Sequence, residues 1–167
     1  TNFRLILCVS CVLLSCDQKV SADDKDTIGL TDLLARVPGL DGSGLRIAMA
    51  EASTSSSVEA YQPNPASASQ PASKFSFYDS ANTYASGTPG VYQSAKQSGH
   101  ANTVANHYFN LNTGVATDAS EIYVFNANNF YNEVIVTSTN INAKVINQSF
   151  VFNSVSSTID QNYDNYA

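Results

Sequence analysis

Four short apolar runs, set between stretches of helical spacing, most constrain what this chain can fold into. They are Leu45–Ala50, Phe75–Tyr78, Ile122–Phe125 and Ala143–Val151, and each reads as a strand. Thr31–Val37 reads as a helix with Thr31 or Asp32 as N-cap, stopped by Pro38-Gly39. Ala101–Phe109 places Val104 and Tyr108 one helical turn apart. Phe130, Tyr131, Val134 and Ile135 form one helical face, although the β-branched Val134–Thr137 also fits an extended strand. Strands alternating with helices specify an α/β domain, a mostly parallel sheet flanked by helices. Such sheets bind ligands beyond the carboxyl ends of their strands, so the residues just past each strand are the first candidates for chemistry.

The N-terminus has a different logic. Arg4 is the only charge before Asp17, and Leu5–Leu14 between them is apolar but shorter than the roughly 20 residues a bilayer-spanning helix needs. This is the pattern of an export leader over residues 1–15. Its end, Leu13-Leu14-Ser15-Cys16, resembles the lipobox of bacterial lipoproteins. The resemblance implies cleavage before Cys16, a lipid on that cysteine, and a protein exported to the bacterial cell envelope and held to a membrane. The chain has three cysteines (Cys8, Cys11 and Cys16), all in the leader or at its end, so no disulfide braces the exported part and its own core must hold it. The C-x-x-C spacing of Cys8 and Cys11 lies in an apolar segment without further ligands and makes no metal site.

Composition excludes one class of partner. Only 13% of residues are charged and the net charge is −6, or −7 once Arg4 leaves with the leader. No basic stripe is present to neutralise phosphates, which argues against nucleic-acid binding. Residues 16–27 read as a polar tether and 28–167 as one domain, with 53–73, rich in Ser, Ala and Pro, as a loop or insertion. The chain opens on Thr1 and stops inside the stripe Ile159, Tyr163, Tyr166, the apolar face of a helix. It therefore reads as an internal piece of a longer protein, truncated before the later strands of its sheet.

Four segments, in order, carry a second resemblance. Gly42-Ser43-Gly44-Leu45-Arg46-Ile47-Ala48-Met49-Ala50-Glu51 resembles the subtilase segment in which a glycine-rich turn leads a strand into the catalytic acid. Gly99-His100-Ala101-Asn102-Thr103-Val104-Ala105 is similar to that family's H-G-T-H-V-A motif, whose first histidine is the catalytic base. Gly114–Ile122 resembles the G-V-A-P-x-A segment, and Val145-Ile146-Asn147-Gln148-Ser149-Phe150 the V-I-N-x-S-L strand that walls the substrate pocket. The match spans roughly Ile28 to Ala167 and implies the N-terminal half of a subtilisin-like serine endopeptidase. In that reading Glu51 orients the imidazole, His100 takes the nucleophile's proton, and Ser149, Phe150 and Val151 line the pocket for a protein or peptide substrate. No metal or redox cofactor is implied.

The departures are specific. Glu51 stands where the family has aspartate, one methylene further out, so the backbone or the histidine must shift to keep the hydrogen bond. Ala101, Asn102 and Thr103 replace G-T-H, Thr117 replaces a proline, and Val151 replaces a glycine that admits substrate backbone. The G-T-S-x-A motif that carries the nucleophile is absent, and so is the oxyanion asparagine before it, so this chain alone is expected to be inactive. His107 follows His100 by seven residues, but no carboxylate or cysteine has matching spacing, and it reads as a surface or packing histidine. Asp118 and Glu121 read as solvated. The alternative is a non-catalytic envelope lipoprotein that holds peptides or glycans on a decayed scaffold of this type. Under either reading Cys16→Ser abolishes labelling by radioactive palmitate and moves the protein from the membrane to the soluble fraction; unchanged fractionation would refute the anchor.

Overall fold

The computed structural model describes residues 24–55, 57–152 and 156–166. The leader, Cys16 and the tether up to Asp23 lie outside the described residues. The last four residues assigned to the tether form a helical turn, α1 (Asp24–Thr27), from which Lys25 Nζ donates to the Asn112 carbonyl at 3.3 Å. Helix α2 (Leu30–Arg36) begins before the expected cap: Gly29, at φ +74°, holds the N-cap position in place of Thr31 or Asp32. That left-handed turn, which glycine adopts without steric cost, folds α2 back so that Leu30 is buried.

The sheet is all parallel, in the order β2-β3-β1-β4, built from β1 (Arg46–Glu51), β2 (Phe75–Tyr78), β3 (Glu121–Asn126) and β4 (Val145–Ser149). The expected α/β class is therefore the observed one. Strand β1 is central and buried from Ile47 to Glu51, as a parallel strand covered on both faces must be. Strand β4 is shorter than the apolar run that announced it. Phe150 and Phe152 leave the ladder to pack edge-to-face on each other at 5.5 Å, and Phe152 meets Tyr131 at 5.2 Å. The segment that fitted either a helix or a strand is helical. α4 (Ala127–Phe130) runs into a π turn over Tyr131–Ile135, closed by Val136 N–H to Tyr131 O at 2.9 Å. The wider turn lets Phe130, Val134 and Ile135 all face the core.

Alternation along the strands makes two cores. Ile47, Met49, Phe75, Phe77, Ile122 and Val124 pack beneath α3 (Gly99–Tyr108), which contributes Ala101 and Ala105. Ala48, Ala50, Tyr78, Tyr123 and Phe125 pack beneath α4 and the π turn. Alanines on β1 leave room for the rings: Phe125 stacks on Tyr78 at 4.9 Å and meets Phe130 edge-on at 5.4 Å. Both later crossings, β2 to β3 and β3 to β4, step the same way across the sheet, yet their helices lie on opposite faces. The two crossings thus have opposite hands, and one is left-handed, where about 98% of such connections are right-handed. The outcome puts α3 on the face that Glu51 shares with Ile47 and Met49.

Residues 53–73 form no regular element before a 3-10 turn at Ala72–Lys74, as expected of a loop, but they do not lie loosely on the surface. Ala60, Tyr61, Gln62, Ala68 and Gln70 are buried, and polar side chains do the fastening. Gln70 Nε2 donates to the Phe109 and Thr117 carbonyls, both at 2.7 Å. Just past β2, Asp79 is 1% exposed and accepts from Tyr61 Oη, Lys96 Nζ and the Ala81 and Asn82 amides. Burial alone would raise this carboxyl; the Lys96 hydrogen bond, with those from Ala81 and Asn82, outweighs it and holds Asp79 below its ordinary value of 3.8. Stability from this group is therefore present above 3.8 and lost as pH falls through the lower folded value. Lys96→Met, which strands the buried carboxylate, is expected to cost about 3–5 kcal/mol at neutral pH in urea unfolding. The loss should shrink in acid; a loss under 1 kcal/mol at neutral pH would mean that water reaches Asp79 freely.

Candidate functional site

Glu51 ends the central strand, in register with Asn126 of β3 and Ser149 of β4. Helix α3 runs back from the carboxyl edge of the sheet, so its first turn hangs over that edge. Ser98 caps the helix, its hydroxyl accepting from Ala101 N–H at 3.3 Å, and His100 follows two residues later. These elements bring together two residues 49 apart in sequence: His100 Nδ1 lies 2.7 Å from Glu51 Oε2. The longer glutamate side chain keeps the hydrogen bond that its extra methylene put in question.

The two partners differ sharply in environment. Glu51 has no solvent exposure, while 56% of the imidazole is open. Burial raises the Glu51 carboxyl; the His100 hydrogen bond and charge pull it down, and the neighbouring Ser149 side chain pulls slightly further, but burial prevails and the group lies above its ordinary value of 4.5. Oε1 is buried without a hydrogen bond among the described residues. The Ser149 hydroxyl beside it accepts from Asn147 Nδ2 at 2.6 Å, which leaves its own proton uncommitted. Nδ1 faces Oε2, while Nε2 faces away from the carboxylate and meets no hydrogen-bonding partner among the described residues.

A cleft of about 500 Å³ opens beyond the same strand ends, between Ser53 and Thr54 after β1, Asn126 and Asn128 around the start of α4, and Phe150 and Val151 after β4. Of the three expected pocket residues, Phe150 and Val151 line it, the latter 88% exposed at the rim. Ser149 faces a separate groove between α3 and β4, with Val104, Tyr108 and Val145. The hydroxyl nearest in sequence to Glu51 is occupied elsewhere: Ser53 Oγ donates to the Ser55 and Val58 carbonyls and accepts from Ala60 N–H. His107 is exposed on α3, and no group of three or more metal-binding side chains occurs among the described residues. Asp118 and Glu121, read as solvated, are at the surface but paired, with Lys74 at 3.2 Å and Arg46 at 3.0 Å. Among the described residues no helix is long and apolar enough to cross a membrane. The Cys16 assignment lies outside the described residues.

Sequence reading missed the polar groups behind the site: Gln62, Asp79, Lys96 and the acceptor role of Asn102. One signal was available for Asp79, an acid directly after a strand. No family model, curated protein or solved structure matches this chain.

The elevated Glu51 carboxyl makes a prediction with a definite sign. A group whose folded value is raised stabilises the fold fully below its unfolded value, 4.5, and that contribution fades as pH rises through the folded value. Glu51→Gln, which cannot ionise, should therefore gain in Tm relative to the parent as pH rises above 4.5. A parent that gains on the variant over that range would show instead that His100 holds the carboxylate charged.

Proposed function

We propose that Glu51 and His100 are the acid and base of a subtilisin-type serine endopeptidase, in a bacterial protein exported and held to a membrane by a lipid on Cys16. One observation carries the reading. Two residues singled out from sequence, in motifs far apart, meet at 2.7 Å beyond the carboxyl end of the central strand of a parallel sheet, with the second imidazole nitrogen open. Glu51 fixes the tautomer and orientation and steadies the imidazolium; Nε2 accepts the proton of an attacking hydroxyl and returns it to the leaving amine. The substrate is a peptide carbonyl, the intermediate an acyl-enzyme, and water completes the cycle. Phe150 and Val151 form part of the wall against which the peptide lies.

The hydroxyl is not in this sequence in the family's motif, and none of the described hydroxyls engages Nε2. The chain by itself is therefore expected to be inert toward fluorophosphonate probes. In the protein encoded by the complete reading frame, His100→Ala should lower hydrolysis of an unstructured peptide by about 10⁶-fold, the magnitude known for the histidine of subtilisin's triad. Glu51→Gln should cost about 10⁴-fold with little change in KM. Hydrolysis that survives His100→Ala within tenfold would sink the proposal.

A second reading draws on the cleft itself. Its amides and hydroxyls, with Phe150 and Phe152 as apolar walls and no nucleophile at hand, also suit a module that holds a peptide or glycan without cutting it. In that case His100→Ala leaves ligand affinity unchanged.

A further inference from the structure

Among the described residues His100 makes one side-chain hydrogen bond, and more than half of its ring is in water. What sets the ring against Glu51 is therefore the backbone frame of residues 98–102, and that frame is stitched to the irregular segment 61–64. Gln62 is 1% exposed. Its main chain accepts from Ser98 N–H at 3.0 Å and donates to Lys96 O at 2.9 Å, and its side-chain Oε1 accepts from Gln93 N–H at 2.7 Å. Two residues on, Asn64 N–H donates to Asn102 Oδ1 at 2.7 Å. The stitched segment is itself pinned, because Tyr61 and Lys96 both bind the buried Asp79.

These four hydrogen bonds straddle His100. Three hold the approach to the helix, including the N–H of its cap Ser98, and the fourth holds its first turn. Asn102 makes no other side-chain hydrogen bond among the described residues: it sits partly exposed in a helix, where asparagine is a poor choice and alanine a good one, and its oxygen is spent on an amide 38 residues away. We propose that Gln62 and Asn102 are positioning residues of the Glu51–His100 pair, clamping the first turn of α3 so that Nδ1 stays within hydrogen-bond reach of Oε2. The inference rests on the acid–base reading of that pair, and it gives a purpose to one of the departures in the Gly99–Ala105 motif. Neither residue touches substrate; both act through the backbone that carries the imidazole.

Imidazole NMR tests this without any need for hydrolysis, because the chain has two histidines and His107, two turns further along α3, serves as an internal reference. In the parent, the proton shared by His100 Nδ1 and Glu51 should give a low-field resonance sheltered from exchange, and the ¹⁵N shifts should report the Nδ1–H tautomer. Gln62→Met keeps the side-chain length and removes the acceptor; Asn102→Ala removes the other. Each should broaden or abolish the low-field signal while His107 keeps its shifts, and Asn102→Asp, which retains an acceptor, should restore it. In an active full-length protein the same two losses should lower kcat by about 100-fold at unchanged KM. If Gln62→Met collapses the fold, seen as His107 losing its native shifts, Asn102→Ala decides. Persistence of the low-field proton in Asn102→Ala, or its loss in Asn102→Asp as well, overturns the proposal. A rigid pair in a protein that hydrolyses nothing would leave the clamp standing and remove only the endopeptidase reading.

Discussion

A carboxylate taken wholly out of water costs several kcal/mol unless something answers it. The structure around β1 is organised by that demand. Strand β1 is covered on both faces, so its last residue has no route to solvent, and that residue is Glu51. One oxygen is met by His100; the other is buried and bare. Natural cores seldom leave such a group half satisfied without a reason, and the usual reasons are catalysis, a switch or an ion. The acid–base role proposed for the pair fits such a site: Glu51 is sheltered, His100 is accessible, and a hydrogen bond couples them.

The parity of β1 then decides on which side of the sheet this happens. Glu51 shares its face with Ile47 and Met49, the face that α3 covers, so the helix carrying His100 lies on the side where the carboxylate emerges. Placing α3 there requires two successive crossings of opposite hand, an arrangement that a tight strand-helix-strand unit resists. Twenty residues separate Tyr78 from Gly99, and this length, fastened down by Asp79 and Lys96, gives the chain room to reach that face.

What was legible in the sequence followed from local chemistry. All four strands appear where apolar runs put them, and α3 and the helix over Ser157–Tyr166 where helical spacing put them, because burial and pleat leave a direct pattern in residue order. Glu51 was legible because the Gly42–Gly44 turn and a strand lead into it, and His100 because it stands beside Gly99 at the head of a helical run. The misjudged details have nonlocal causes. Gly29 caps α2 because the chain must reverse there, and β4 ends early because Phe150 and Phe152 find aromatic partners off the ladder. Segment 53–73 looked like an insertion since apolar content is what sequence reading weighs. It is an irregular segment, part of which is buried and fastened by hydrogen bonds between polar groups far apart in the chain, and that pairing has no sequence period.

A seam made of such bonds has a consequence for how the molecule breathes. Oily cores come apart together with the sheet they cover, but a polar seam can exchange its partners for water a few bonds at a time. Around Gln62 and Asn64 the link to the approach of α3 is of this kind, while Tyr61 next to them is anchored in the apolar core. The strand that carries Glu51 is thus held by the sheet and its two cores, and the turn that carries His100 in good part by polar bonds that water can replace one at a time.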